Sequence, residues 1–274
     1  MGNSTTSFRR ISAGLALAAL AGQAMATLYD RGGGLIYDSA LNITWLQDAN
    51  YAFGSTYDSM DGVTDGKLSW VNAVAWAGNL MYHDSVRGVT YDDWRLPTVG
   101  PVNGVSMNFD GSYDGSTDSG YNISAPGSAF PGSKASEMAY LFYNDLGNVS
   151  RQGLPADSCM PSPPGGPVNT GPFSNFNANM SGVYWSGGAA VPSYVGGNLA
   201  LLFMFGTDCR APFPLVGIFD NDVGRQHPVP QYNPAHALAV RSGDVAPVPE
   251  AQSFAMTLAG LCVLAAAVWR RRKT

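Results

Sequence analysis

Apolar and polar residues follow one another in short runs along most of the chain, and two segments carry the apolar ones at helical spacing. Trp70, Ala73, Val74 and Ala77 share one face, Ser69 stands where an N-cap is needed, and Gly78-Asn79 suits the C-terminal end. This predicts a helix packed on a sheet, with Trp76 on its flank. A second helix is predicted over residues 134–146, capped by Ser133, with Met138, Leu141 and Phe142 inward and Gly147 as terminator. Two β-rich runs, residues 34–38 and 41–50, flank Ser39-Ala40 as a hairpin. Further strands are predicted at 183–185, 199–205, 215–219 and 235–240. Two helices early and strands late form an α+β pattern, and no repeat of 20–50 residues points to a solenoid or propeller. Long Gly-rich insertions at 99–132 and 155–172 separate these elements, and loops of that length are either functional or mobile.

The two ends read as addresses. Arg9-Arg10, an apolar run over 11–21, and small residues Ala24 and Ala26 at −3 and −1 of a cleavage site compose a signal peptide over residues 1–26. Its partners are the secretion translocon and signal peptidase; an uncleaved anchor is the alternative. At the other end, a Pro-rich hinge precedes an apolar stretch over 254–269 and the basic stop Arg270, Arg271, Arg272 and Lys273. Sixteen helical residues rise about 24 Å against a hydrocarbon core of ~30 Å, so a short inner-membrane span over about 251–269 needs snorkelling arginines. The positive-inside rule keeps that cluster cytoplasmic and leaves the intervening domain, residues 27–246, outside. A glycolipid-anchor signal would end in an apolar tail instead.

Charge sharpens this division. The 274-residue chain has a net charge of −5, but six of its 15 basic residues and one of its 20 acidic ones lie in the two ends. Residues 27–246 therefore carry nine basic against 19 acidic side chains, a net of −10, with Lys67 and Lys134 as their lysines. Such a body lacks the clustered cations that bind phosphate backbones, which excludes nucleic acid as a partner.

Pro249-Glu250, a short apolar helix and a terminal Arg cluster, in that order, resemble the PEP-CTERM sorting signal of exported bacterial proteins. The resemblance implies an exosortase partner, a membrane transpeptidase that removes the tail on the way to the cell surface or extracellular matrix. Where the family has Pro-Glu-Pro, this chain has Pro249, Glu250 and Ala251, which leaves retention as a plain membrane anchor open.

The motif Tyr91-Asp92-Asp93-Trp94-Arg95-Leu96-Pro97-Thr98, the earlier Trp45 and Asp48 of Ile43-Thr44-Trp45-Leu46-Gln47-Asp48-Ala49-Asn50, and Tyr184-Trp185-Ser186 with a closing Val240-Arg241 resemble the Lcl C-terminal domain family. The Arg-Leu-Pro-Thr element also recurs in formylglycine-generating-enzyme-like domains. The resemblance implies one C-type-lectin-like domain and surface polysaccharide as a ligand class, although an acidic body repels the polyanions that relatives bind.

The residues themselves favour structure over catalysis in most places. Arg95, which follows Asp93-Trp94 and precedes Leu96-Pro97, reads as a knot that satisfies carbonyls or carboxylates while Trp94 packs inward. Asp110, Asp114 and Asp118, with Asp58, Asp61 and Asp65, invite a calcium reading, but their spacing is no EF-hand and a solvated Asp-Gly cluster is the alternative. Calcium is the one cofactor they suggest. Cys159 and Cys209 fit a disulfide in an oxidising compartment. Histidines 83 and 227 fall in loop-like sequence, and 236 opens a strand; no zinc or nucleophile motif occurs. The body's one glutamate, Glu137, reads as a solvated first-turn charge. Tyr113 and Tyr121, read as exposed, are candidate sugar-stacking rings. The function expected is a non-catalytic exported surface or matrix protein that binds carbohydrate. The alternatives are a polymer-acting enzyme with an Asp-based site and a purely structural surface protein.

Overall fold

A computed structural model describes residues 28–58, 63–150, 168–176, 182–188, 191–192, 198–206 and 223–245. The segments expected to be a signal peptide and a sorting tail, Asp61, Cys159, Cys209 and the strand expected at 215–219 lie outside the described residues. Among the described residues no helix is long and apolar enough to cross a membrane.

The fold is mixed α+β, mostly sheet with two short helices. Strands β1 (Leu28–Asp30), β2 (Leu35–Asp38) and β3 (Ile43–Leu46) form an antiparallel meander. The expected hairpin is there. Asp38 Oδ1 accepts the N–H groups of Ala40 and Leu41, and Asn42 takes a left-handed φ of 54° to return the chain. Next come β4 (Lys67–Leu68), α1 (Trp70–Gly78), β5 (Tyr82–Asp84) and β6 (Val89–Tyr91). The Gly-rich insertion holds β7 (Gly111–Ser112) and β8 (Ser119–Tyr121), and α2 (Glu137–Tyr140) continues as a π-helical turn, Leu141–Asp145. The remaining strands are β9 (Val183–Trp185), β10 (Val191–Pro192), β11 (Asn198–Met204), β12 (Arg225–Pro230), β13 (Ala235–His236) and β14 (Val240–Ser242). Strands are thus interleaved with both helices, and the order of helices early and strands late does not hold.

The main sheet runs β4-β13-β9-β11-β12-β8-β7, with β10 also on β11. β11 is apolar at successive positions because both faces of this sheet are covered. Phe203 faces one core with Tyr184, Phe205 and Phe142 of the π-helical turn. Leu202 and Met204 face another with Trp185 and with Ala73, Trp76 and Ala77 of α1. A separate sheet, β1-β2-β3-β14, closes one flank.

Several expected details shift. Ser69 Oγ caps α1 by accepting the Asn72 N–H, but the buried stripe is Ala73, Trp76 and Ala77, while Val74 is 40 % exposed. The indole removes more apolar surface from water than a valine does, so the helix rolls toward Trp76. The second helix starts at Glu137, not Lys134, and its cap is Ser136, not Ser133. Residues up to Ser136 are held against the Arg95 motif instead: Gly100 N–H donates to Ala135 O, Glu137 N–H donates to Thr98 O, and Val99 bridges Ser136. The run 235–240 splits into β13 and β14, which belong to different sheets, with Ala237–Ala239 crossing between them. His83 lies in β5 and His227 in β12, not in loops. β12 escaped the pattern because of Pro228 and Pro230. Both lie beyond Arg225 and Gln226, the residues that pair with β8, where among the described residues no strand on that side asks for their missing N–H.

Candidate functional site

Among the described residues an open groove with polar and aromatic lining lies where β3 runs out. A succession of tight turns carries residues 48–58: Tyr51 N–H donates to Asp48 O, Phe53 to Asn50, Ser55 to Ala52 and Asp58 to Ser55. The turns are locked from several sides. Asp48 bridges Ser174, and its Oδ1 accepts the Asn50 N–H at 2.9 Å. The buried Asp58 carboxylate accepts N–H bonds from Gly54 and Gly66, each at 2.8 Å. Asn50 Oδ1 meets His236 Nδ1 at 3.1 Å, and Gly66, at φ +81°, lies so close that a Cβ there would fall 1.9 Å from Asn50 Oδ1. Within this rigid frame Ala52 points inward, while Tyr51 and Phe53 are 41 % and 58 % exposed.

These residues line an open groove of about 700 Å³, completed by Trp76 of α1 and by Asn175, which holds φ 53° on the segment beside Asp48. That volume falls in the range of small-ligand sites. Two aromatic rings, a carboxylate and two amides on preorganised backbone can stack a pyranose and fix its hydroxyls. Burial chiefly, then the neighbouring Tyr51, Asp84 and Asp48, raises the proton affinity of Tyr82, whose ring meets Tyr51 edge-on at 5.4 Å. Of these residues the motif read in the sequence names Asp48 and reaches Asn50. Tyr51 and Phe53 had a signal, two aromatics just past a turn-forming Asp-Ala-Asn. Asn175 had none, since it arrives from 120 or more residues away in the chain.

The motif residues are tied into the frame. Arg95 donates to both oxygens of Glu137 at 2.7 and 2.8 Å and to Leu96 O, and Glu137 also accepts the Thr98 N–H. Glu137 is therefore buried and paired, not a solvated charge. Asp93 pairs with Arg241 at 2.7 and 3.0 Å, and the Arg241 guanidinium lies 4.3 Å from the Tyr91 ring centre. Trp45, Trp94, Leu96, Tyr184 and Trp185 are core, Trp185 donates its Nε1–H to Leu68 O, and Pro97 O accepts the Gly187 N–H.

The remaining candidates separate. Asp118 is buried and accepts the N–H groups of Val102 and Asn108, whereas Asp114 is exposed and held below the usual carboxylate range by its Ser116 hydrogen bonds. Among the described residues no group of three acidic or imidazole side chains is placed to hold a metal, so Asp110, Asp114 and Asp118 do not converge. Tyr121 is buried, not exposed; Tyr113 stacks on it at 5.7 Å and 8°, and Tyr113 alone presents a free face.

One acidic pair stands apart. Asp38 Oδ2 faces Trp45 Nε1, and three N–H donors converge on that carboxylate, while both Asp145 oxygens are buried with no donor among the described residues. Burial first, then the charge and hydrogen bond of Asp38, push Asp145 up to about 9, with Lys134 opposing. Burial and the same two carboxyl groups raise Tyr140 as well.

The chain matches no family model, no curated protein and no solved structure, so its own geometry carries the functional argument.

Proposed function

We propose that this chain is an exported, non-catalytic cell-surface or extracellular-matrix protein whose α+β domain, of the C-type-lectin-like kind, binds carbohydrate in the groove of Asp48, Asn50, Tyr51, Phe53 and Asn175. The observation that carries the reading is the pairing of two exposed rings with hydrogen-bonding side chains on a backbone locked before any ligand arrives. Pre-ordering of this kind lowers the entropy lost on binding. Export by a signal peptide and sorting by an exosortase follow from the two ends of the sequence and complete the proposal.

The enzyme alternative requires two carboxylates within reach of a substrate. Asp38 and Asp145 are a neighbouring pair in which Asp145 holds its proton tightly, but the Asp145 oxygens are withdrawn from solvent and neither residue lines the groove. That placement favours binding over hydrolysis.

A glycan array probed with the protein and with the Tyr51→Ala, Phe53→Ala double variant tests the reading. Binding of a defined sugar class by the former, lost in the latter with the melting temperature kept, is the expected result. Absence of any hit above background would refute carbohydrate binding.

A further inference from the structure

We propose that the sugar taken by this groove carries a free, protonated amine, as in a hexosamine unit of a partly deacetylated amino-sugar polymer. The inference rests on the carbohydrate reading above and adds the ligand's charge. Among the described residues Asp48 is the one carboxylate lining the groove, and no described Lys, Arg or His lines it. None of the ion pairs among the described residues includes Asp48, and the hydrogen bond it accepts is the single N–H of Asn50. The carboxylate is half-buried, and its field reaches Tyr82, where it opposes ionisation of the phenol.

A half-buried carboxylate without a counter-charge is complemented by a cation supplied from outside. The rings agree, because the faces of Tyr51 and Phe53 attract ammonium groups as well as sugar C–H edges. A uronate or sulfate would meet repulsion from Asp48 and from a body of net charge −10, and an N-acetyl group would leave the carboxylate uncompensated. An amine on the ring stacked at Tyr51 answers both demands. A lysine side chain offers the same ammonium, but it lacks the pyranose face that the exposed rings and the Asn50 and Asn175 amides are arranged to meet.

The test is calorimetric titration of the full-length chain at about pH 6, where an amine is protonated, with four probes: glucosamine, N-acetylglucosamine and glucose tetramers, and tetralysine. The glucosamine tetramer should bind about tenfold tighter than the other three. Asp48→Asn, which keeps the Oδ1 that accepts the Asn50 N–H, should remove that advantage, so that the glucosamine tetramer binds the variant no tighter than the other two sugars do. If the variant fails to fold, the wild-type response to salt decides: affinity for the glucosamine tetramer should fall several-fold between about 20 and about 300 mM salt. Equal binding of the three sugars, or affinity indifferent to both Asp48→Asn and salt, overturns the amine and leaves carbohydrate binding standing. Tetralysine binding as tight as the glucosamine tetramer overturns the sugar as ligand. No binding of any sugar overturns both readings.

Discussion

Asp145 is where the chain's pH response should concentrate, and Asp145→Asn is the perturbation that isolates it. Three N–H donors already converge on Asp38, so the proton shared by the two carboxyl groups belongs on Asp145, which then donates to Asp38. Ionised, Asp145 would have no hydrogen-bond partner for either oxygen among the described residues. Its proton affinity is pushed up to about 9 in the fold, from a value near 3.8 in an open chain. The native state thus keeps a proton that the unfolded state has lost, and the stability it carries is intact below about pH 4 and lost as pH rises toward 9. Each pH unit in that window is worth about 1.4 kcal/mol at full effect, so the span from pH 5 to 8 has a ceiling of about 4 kcal/mol. Allowing for relaxation and for Lys134 nearby, we expect about 2 kcal/mol. The asparagine amide can donate to Asp38 at every pH without holding a titratable proton. Urea unfolding of both proteins at pH 5, 6, 7 and 8 should show the variant gaining about 2 kcal/mol over the wild type across the series. Parallel stability curves for the two proteins would refute the shared proton. The carboxylates held low, Asp84 and Asp114, have finished titrating below this window and cancel in the comparison.

Other outcomes follow from the same geometry. Arg95→Ala, which strands the buried Glu137, should cost about 2–3 kcal/mol, and the double change with Glu137→Gln should cost less than the two single losses added together in a thermal-melt cycle. Gly66→Ala forces a Cβ into Asn50 at a left-handed φ and should lose roughly 2 kcal/mol together with groove binding, measured by urea unfolding and titration. Calorimetric titration with calcium should give no heat, since the Asp118 carboxylate is already engaged by backbone N–H groups; a clear isotherm would contradict that assignment. Mass spectrometry of the mature protein should find an N-terminus at Thr27 and a C-terminus near Pro249, and recovery of the Arg-rich tail in the membrane would favour the plain anchor instead.

Local chemistry made part of this molecule legible without coordinates. The β2–β3 hairpin, the α1 cap and the strands β9 and β11 each depend on residues close in the chain: Asp38 on its own turn, Ser69 on Asn72, and an unbroken apolar run for a strand covered on both faces. The division into basic ends and an acidic body is pure composition. Contacts over long separations were beyond such reading. Glu137 has the sequence surroundings of a solvated first-turn charge, and it is buried because Arg95, 42 residues earlier, arrives beside it. Backbone contacts from Thr98–Gly100 cancel the first turn of the expected helix, since the Ala135 C=O and Glu137 N–H they satisfy are no longer available to it. The run 235–240 is divided for a similar reason, because two sheets compete for its ends.

The groove divides along the same line. Asp48 and Asn50 lie in a motif visible in the chain, and the turn chemistry that exposes Tyr51 and Phe53 is local. Asn175, Gly66 and His236 join them from three other segments, so the rigidity of the proposed binding groove belongs to packing alone. Propensity and capping act over a few residues, whereas a site is made of groups whose separation along the chain is arbitrary, and folding is what brings them within a few ångströms.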